Sequence, residues 1–421
     1  MNVIFTIVAK NYLASAITLG KSVRKYNADC DFIIFLSDKS EGIVLDRVGF
    51  PVYEVEKFSI PNLEQQIFMY DVVEFSTAVK PFFMLYLMNE KKYDKVIYLD
   101  PDIWVMDSLD FVFEQLDKWD FVLTPHIVDM NSAPNEKETH ILDRGVFNLG
   151  FLAARNSNDS QNFLHWWKKR LEIYCFRDNR LFVDQKWVGY LPIFSDNYYV
   201  MRSKAYNIAD WNYHERDVIW EDERYFIKDG KEKESLKLFH FSGIKLETPA
   251  VFFRKHGIKI SDDKCRVLSK IILEYQKELV ENGYEIYSKL PYAYGSFSNG
   301  DTINLFHRRI YKKYKDYLSN PFSVTDGNFY KILKKEKLIS KRKEKKKIHS
   351  ENVIDTADVR ENVGQTFIGR VFIIFMKLLI RIIGIDGYIN VLKQLQVGVD
   401  INEQSFLISK HLSGKKDCVG R

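Results

Sequence analysis

The chain has 421 residues, 46% of them hydrophobic and 15% aromatic, with a formal net charge of +5. That is too long for one ordinary core and too apolar for wholesale disorder, so a main domain with an appendage is expected. The mild overall charge hides a local run, "KILKKEKLISKRKEKKK" (331–347), with ten basic residues against two acidic ones, which points to an anionic partner for a tail rather than to a basic fold.

The first segment, "NVIFTIVA" (2–9), is a short β-branched run and reads as the opening strand. The first ten residues lack the charged start, apolar centre and cleavage site of a signal peptide, so a cytosolic location is expected. "LASAITLGKSVRKY" (13–26) has apolar residues at helical spacing, and "DFIIFLSD" (31–38) is a second buried strand. The rhythm continues with "PVYEV" (51–55), a helix over "STAVKPFFMLYLMN" (76–89) and the strand "KVIYLDPDIWV" (95–105). Strands alternating with helices imply a mostly parallel sheet, and continuous apolar runs imply strands covered on both faces. "FVLTPH" (121–126), "GVFNLGFLAAR" (145–155) and a helix over "NFLHWWKKRLEIYCF" (162–176) follow, and "LKLFHFSG" (236–243) reads as the last strand of this domain.

From residue 251 the pattern turns helical. "SDDKCRVLSKIILEYQKELVENG" (261–283) predicts a helix capped by Ser261 and stopped by Gly283. Residues 331–366 read as a basic, charged linker. The segment 367–395 is too interrupted to span a bilayer. Arg370, Lys377 and Arg381 are spaced to share one helix face, opposite a wide apolar face. That is the pattern of a helix lying in a membrane interface, though packing on the domain or on a second copy fits it as well. Cys30, Cys175, Cys265 and Cys418 are scattered without a CxxC, so free thiols are expected.

Asp100 and Asp102 interrupt an apolar strand. In an extended segment, side chains two positions apart share a side, and the carboxyl end of such a strand is where open α/β sheets bind ligands. Two carboxylates so close resist burial, and a divalent cation with oxygen ligands resolves the conflict. The alternative is that one of them caps a helix or pairs with a lysine. His240 is a candidate third ligand, although a lone histidine at a strand end is commonly structural. After it, Gly243 and Lys245 could hold phosphate oxygens through backbone N–H groups and a point charge.

"KVIYLDPDIWV", "GVFNLGFLAAR", "FVDQKW" and "FHFSGIK" occur in the order found in bacterial nucleotide-sugar glycosyltransferases of the GT-A fold, and the chain resembles the retaining enzymes of family 8 over about residues 1–250. The resemblance implies an α/β fold of GT-A type, a mostly parallel, Rossmann-like sheet flanked by helices, with a helical C-terminal extension. Together with the pattern after residue 251, it divides the chain into a catalytic domain (1–250), a helical extension that could lie on the acceptor side (251–330), the basic linker (331–366) and amphipathic C-terminal helices (367–421). It implies that Asp100, Asp102 and His240 bind Mn²⁺ or Mg²⁺, with Asp100, Gly243 and Lys245 also at the donor. Thr6, Val8, Ala9, Asn11 and Tyr12 would receive the uridine and ribose. Lys80 would face the donor, Asn148 and Gly150 would line its sugar, and Asp184 and Gln185 would sit beside the anomeric carbon. The family segment continues Pro-Trp after the lysine, whereas this chain has Leu246-Glu247.

The chemistry agrees with those roles. Charge that develops on the leaving diphosphate is stabilised by a metal and Lys245, and an oxocarbenium-like centre is stabilised by a polar or anionic face from Asp184 or Gln185. Retention by same-face attack and by a covalent intermediate on Asp184 both remain open. Asp184 could instead cap a helix starting at Gln185. Trp211 and Asn212 could bind the acceptor, or Trp211 could be a core residue; Trp166 and Trp167 read as packing.

The expected function is transfer from a UDP-sugar to a saccharide or lipid-linked glycan in cell-surface polysaccharide or glycoconjugate synthesis. The expected location is the inner face of the plasma membrane, held through the C-terminal tail on anionic lipid; homo-oligomerisation is an open expectation. A nucleotidyltransferase on a similar scaffold would want a glycine-rich loop after the first strand, and "VAKNYLASA" has none. A non-catalytic membrane-surface protein is the other alternative. Nucleic acid is not an expected partner, because no aromatics interleave the basic run.

Overall fold

The computed structural model describes residues 1–131, 137–178, 180–242 and 262–339, together with Val371, Ile374, Phe375, Leu378, Ile382 and Ile383. It divides into two compact units, Met1–Tyr294 and Gly295–Arg421.

The first unit is built on a seven-stranded sheet. β1 (Asn2–Val8) is buried from Val3 onward, the signature of a strand covered on both faces. It pairs in parallel with β2 (Asp31–Leu36), Val3 opposite Asp31 through Val8 opposite Leu36, and with β4 (Lys95–Leu99) on its other side. β3 (Val52–Glu54) extends the parallel half beyond β2. The other half adds β7 (Phe147–Arg155), antiparallel to β4 and to β6 (Phe121–Pro125), and β8 (Tyr198–Val200), parallel to β6; the order is β3-β2-β1-β4-β7-β6-β8. This is the mostly parallel, helix-flanked α/β sheet the sequence predicts.

Helix α1 (Leu13–Tyr26) covers the range expected. After α2 (Leu63–Met69), the single helix expected over 76–89 is two, α3 (Val72–Ala78) and α4 (Lys80–Asn89). The physical reasons lie at their starts. Asp71 and Glu74 form a capping box that opens α3 early, and Pro81, with no N–H to donate, suits the first turn of a new helix. α5 (Asp110–Lys118), α6 (Lys137–Arg144), α7 (Asn158–Leu171), α8 (Gln185–Val188) and α9 (Leu191–Phe194) connect the later strands. Ser157 and Ser160 cap α7 reciprocally, which starts it before the expected residue 162.

Two expectations fail at the same place. Asp100 and Asp102 do not lie on an extended strand. β4 ends at Leu99, the chain turns with Ile103 N donating to Asp100 O at 3.0 Å, and a separate strand β5 (Ile103–Val105) leaves the main sheet. The segment 236–243 does not join the main sheet either. β9 (Val218–Glu221), β10 (Arg224–Asp229) and β11 (Glu232–Ser235) form a small antiparallel sheet, and β12 (Leu238–His240) pairs with β5, His240 opposite Ile103. Phe241 N donates to Asp102 O at 2.8 Å and extends that ribbon. The turn frees β5 to take β12 as its partner, and this pairing delivers His240 to the carboxylates.

Within the same unit, α10 (Asp262–Glu281) packs against α1 and β9, and Gly283 follows it at φ +90°, a conformation glycine adopts without steric cost; α11 (Tyr284–Tyr287) comes next. Ser261, Gly243, Lys245 and Cys418 lie outside the described residues, as does most of the basic segment. In the second unit, α12 (Leu305–Tyr314) opens on an Asn304–His307 capping box, and α13 (Phe329–Lys335) buries Phe329, Tyr330 and Leu333. Among the described residues, no helix is long and apolar enough to cross a membrane.

Candidate metal and donor site

The turn after β4 is tied to β7, because Asp100 N donates to Gly150 O at 2.7 Å. It sets Asp100 and Asp102 against His240, and one ligand atom from each of the three lies within 4.8 Å of the others. His240 Nε2 is 3.2 Å from Asp102 Oδ1 and 3.7 Å from Asp100 Oδ2. Tyr98, two residues before Asp100 on the strand, donates its hydroxyl to Asp100 Oδ1 at 2.6 Å and leaves Oδ2 facing the histidine. Burial raises the Asp100 pKa; Lys80 and His240 oppose that and the Asp102 charge adds to it. Burial works against charge on His240, but the hydrogen-bonded Asp102 and the nearby Asp100 outweigh it, and its pKa is raised. The two carboxylates therefore draw positive charge, a proton on His240 or a bound cation, to the point where their oxygens and the imidazole nitrogen converge. Two carboxylates and one imidazole suit a hard to borderline divalent cation such as Mn²⁺ or Mg²⁺.

Beneath the cluster lies a buried ion pair. Lys80 Nζ is 2.6 Å from Asp184 Oδ2, with both side chains at most 3% exposed. The same ammonium donates to Leu149 O at 2.9 Å and sits 4.1 Å from the centre of the Tyr98 ring. Where the resemblance has Lys80 facing the donor, the fold turns it inward, because a buried carboxylate without a counter-charge is costly. Asp184 does precede α8, but its side chain makes no cap bond and goes to Lys80 instead. Its backbone carbonyl accepts from Trp167 Nε1 at 3.2 Å. Val183, just before it, has φ +44°, a sterically expensive conformation for a β-branched residue. Gln185 is buried and uses its whole amide: Oε1 accepts from Leu149 N at 3.0 Å and Nε2 donates to Arg144 O at 3.1 Å.

Asn148 and Gly150 lie on β7 beside the histidine. A Cβ on Gly150 would come 2.5 Å from His240 Cε1, so only glycine fits. Asn212 is fully buried, and its side chain is taken up by the chain: Nδ2 donates to His126 O and Asn207 O, and Oδ1 accepts from Ala209 N. The expectation that Asn212 touches an acceptor is therefore corrected; it holds the loop that carries Trp211. Trp211 meets the His126 and His240 rings edge-on at 5.4 and 5.2 Å, and its buried Nε1 has no hydrogen-bond partner among the described residues. Thr6 Oγ1, on β1, is likewise buried without one. Buried polar groups in folded chains nearly always have partners, so both atoms fit a ligand's polar groups. Val8 and Ala9 are buried, Asn11 is partly exposed, and Tyr12 is near enough to Asp102 for that charge, after desolvation, to help push its phenol up to about 12.

Sequence reasoning missed Tyr98, His126 and Asn207. Tyr98 is visible in hindsight from its two-residue spacing to Asp100. Asn207 had no pattern signal; it is fully buried in a loop and adopts φ +53°, which asparagine tolerates.

No family profile and no curated protein matches the chain. Solved structures similar to it are glycosyltransferases. The galactosyltransferase LgtC, in complex with donor and acceptor sugar analogues, is 16% identical, covers 66% of this chain and 95% of its own, and has a TM-score of 0.40. The glycosyltransferase GlyE of Streptococcus pneumoniae TIGR4 is 17% identical over 70% of this chain and 66% of its own, with a TM-score of 0.38. Mouse xyloside xylosyltransferase 1 is 12% identical over 57% of this chain and 97% of its own, with a TM-score of 0.34.

Proposed function

We propose that the chain is a divalent-metal-dependent glycosyltransferase that moves a sugar from a UDP-sugar to a saccharide or lipid-linked glycan, with retention, in the synthesis of a cell-surface polysaccharide or glycoconjugate. The convergence of Asp100, Asp102 and His240 at the carboxyl end of a central strand carries this reading. The ion, Mn²⁺ or Mg²⁺, would neutralise charge on the departing diphosphate. Asp100, Asp102 and His240 would hold it, and Gly243 and Lys245 would complete the diphosphate contacts. Thr6 Oγ1 receives a polar group of the nucleotide, with Val8, Ala9, Asn11 and Tyr12 around it, and Asn148 and Gly150 border the donor sugar. Trp211 Nε1 donates to a hydroxyl of the bound saccharide. Asp184 offers negative charge to the developing cation, Lys80 acts against burial to favour the ionised form of that carboxylate, and Gln185 fixes the backbone at Leu149. A carboxylate clamped by a lysine suits electrostatic stabilisation better than nucleophilic attack, which favours the same-face route.

A thermal-shift panel of UDP, UDP-glucose, UDP-galactose and their N-acetyl forms tests the reading. One of them should stabilise the protein only with Mn²⁺ present, and Asp102→Asn should remove the effect. Stabilisation by nucleoside triphosphates and by no UDP-sugar would favour the nucleotidyltransferase instead.

The enzyme is further read as working on the inner face of an anionic membrane. The supporting observation is that Val371, Ile374, Phe375, Leu378, Ile382 and Ile383 are helical and 38–78% exposed. Their spacing puts them on one helix face, and the adjacent sequence is strongly basic, the combination that binds anionic interfaces.

A further inference from the structure

We propose that Asn207 is the positioning residue of the metal centre: through oriented hydrogen bonds anchored on two backbone groups, it holds the His240 ring with a proton on Nδ1 and with Nε2 turned toward Asp100 and Asp102. The inference rests on the metal reading above and adds the group that fixes its imidazole.

The argument follows the protons. Gly150 N–H, which can only donate, points at Asn148 Oδ1 at 3.2 Å. That contact fixes which end of the Asn148 amide is oxygen, since the opposite orientation would set donor against donor. Asn207 reaches the same oxygen at 3.1 Å, so the atom it presents must be its NH₂, which also donates to Thr124 Oγ1 at 3.3 Å. The remaining end of Asn207 is therefore its carbonyl oxygen, and it faces His240 Nδ1 at 3.3 Å. An acceptor there requires the proton on Nδ1, which leaves Nε2 to face the carboxylates.

The other end of the network gives the same answer independently. His126 Nδ1 lies 3.3 Å from Val146 O, an acceptor only, so His126 carries its proton on Nδ1. Its Nε2 is then an acceptor, and it meets Asn148 Nδ2 at 3.4 Å, as the orientation set by Gly150 requires. Burial pushes the His126 pKa down to about 4, which keeps that ring neutral near pH 7. The four side chains His126, Asn148, Asn207 and His240 are all buried. Each donor in the series meets an acceptor, and reversing the Asn148 amide would break three contacts, those with Gly150 N, Asn207 Nδ2 and His126 Nε2. Histidines that bind metals are commonly oriented through the nitrogen that does not.

The test uses the full chain. Asn207→Gly removes the side chain and keeps the positive φ; Asn207→Asp keeps an acceptor for Nδ1 and loses the amide donors. Imidazole nitrogens are read by NMR on metal-free protein labelled with ¹⁵N-histidine, His240 being assigned by its loss in His240→Gln. Mn²⁺ affinity is read from the electron paramagnetic resonance of free ion. Wild type and Asn207→Asp should carry a proton on His240 Nδ1. Asn207→Gly should bind Mn²⁺ about 10- to 100-fold more weakly, and Asn207→Asp should lose less. A wild-type His240 protonated on Nε2 alone, or wild-type Mn²⁺ affinity in Asn207→Gly, would overturn the inference. Should Asn207→Gly not fold, the wild-type and Asn207→Asp spectra decide. Neither readout needs sugar transfer, so a protein that passes both and turns over no nucleotide sugar would sink the proposed function and leave this assignment standing.

Discussion

Replacing Lys80 with methionine removes a charge from the driest part of the site and keeps much of the side-chain volume. At an effective dielectric of about 20, unit charges at the 2.6 Å separation of Lys80 and Asp184 attract by about 6 kcal/mol. Desolvation of both groups offsets much of that, and removing one partner of such a pair typically costs about 3–5 kcal/mol, because the other charge stays buried alone. At about 2.1 cal/mol/K per residue over the Met1–Tyr294 unit, that corresponds to a drop in Tm of about 5–8 °C. Thermal unfolding of metal-free Lys80→Met measures it, and the double variant Lys80→Met/Asp184→Asn should recover most of the loss, since neither charge then remains. The pH dependence has a defined sign. Burial already raises the Asp184 pKa above that of an ordinary carboxylate, with Lys80 acting against the rise. Without Lys80 the folded pKa climbs further, so the penalty is present at high pH and is relieved as pH falls through that value. The Lys80→Met deficit should therefore be larger near about pH 8 than near about pH 5. A double variant as unstable as Lys80→Met alone, or a deficit independent of pH, would refute the reasoning.

Three further outcomes follow from the same site and from the tail. Asp100→Asn should stabilise the metal-free protein by about 0.5–2 kcal/mol in thermal unfolding, because the raised Asp100 pKa means that its ionised form is penalised at neutral pH; the gain should shrink as pH falls below the folded pKa and vanish below the ordinary carboxylate pKa of an unfolded chain. Gly150→Ala should cost about 1–3 kcal/mol through overpacking, and calorimetric Mn²⁺ affinity should fall with it, since the new Cβ displaces the His240 ring. Ile374→Glu/Phe375→Glu, at positions 59% and 57% exposed, should leave the fold unchanged in circular dichroism and reduce co-sedimentation with phosphatidylglycerol vesicles; undiminished binding would contradict the membrane reading.

The main sheet was legible because its strands are short, β-branched and buried on both faces, as in β1 and β4, and because α1 carries a clean helical period. The three candidate metal ligands were legible for a different reason: charges interrupting apolar strands stand out whatever the local geometry. The geometry itself was not legible. The two aspartates converge through a turn, and His240 arrives on a ribbon paired with β5, a long-range pairing that no local period encodes. The split of α3 from α4 was written in Asp71, Glu74 and Pro81, and a stricter reading of caps would have found it. The inward turn of Lys80 and the uses of Gln185 and Asn212 depend on which buried groups lack partners, and that appears only when distant strands are brought together. Asn207 is the extreme case, a single loop residue whose role is set by Asn148, Thr124 and His240.

The most direct test of the account is turnover of the UDP-sugar selected by the thermal-shift panel, measured as UDP release with Mn²⁺ and with EDTA, in wild type and in Asp102→Asn. The account predicts release that depends on Mn²⁺, is abolished by EDTA, and falls by at least about 100-fold in Asp102→Asn, the order of effect seen when one charge-stabilising group is removed from a transition state. Release unaffected by both EDTA and Asp102→Asn would contradict it.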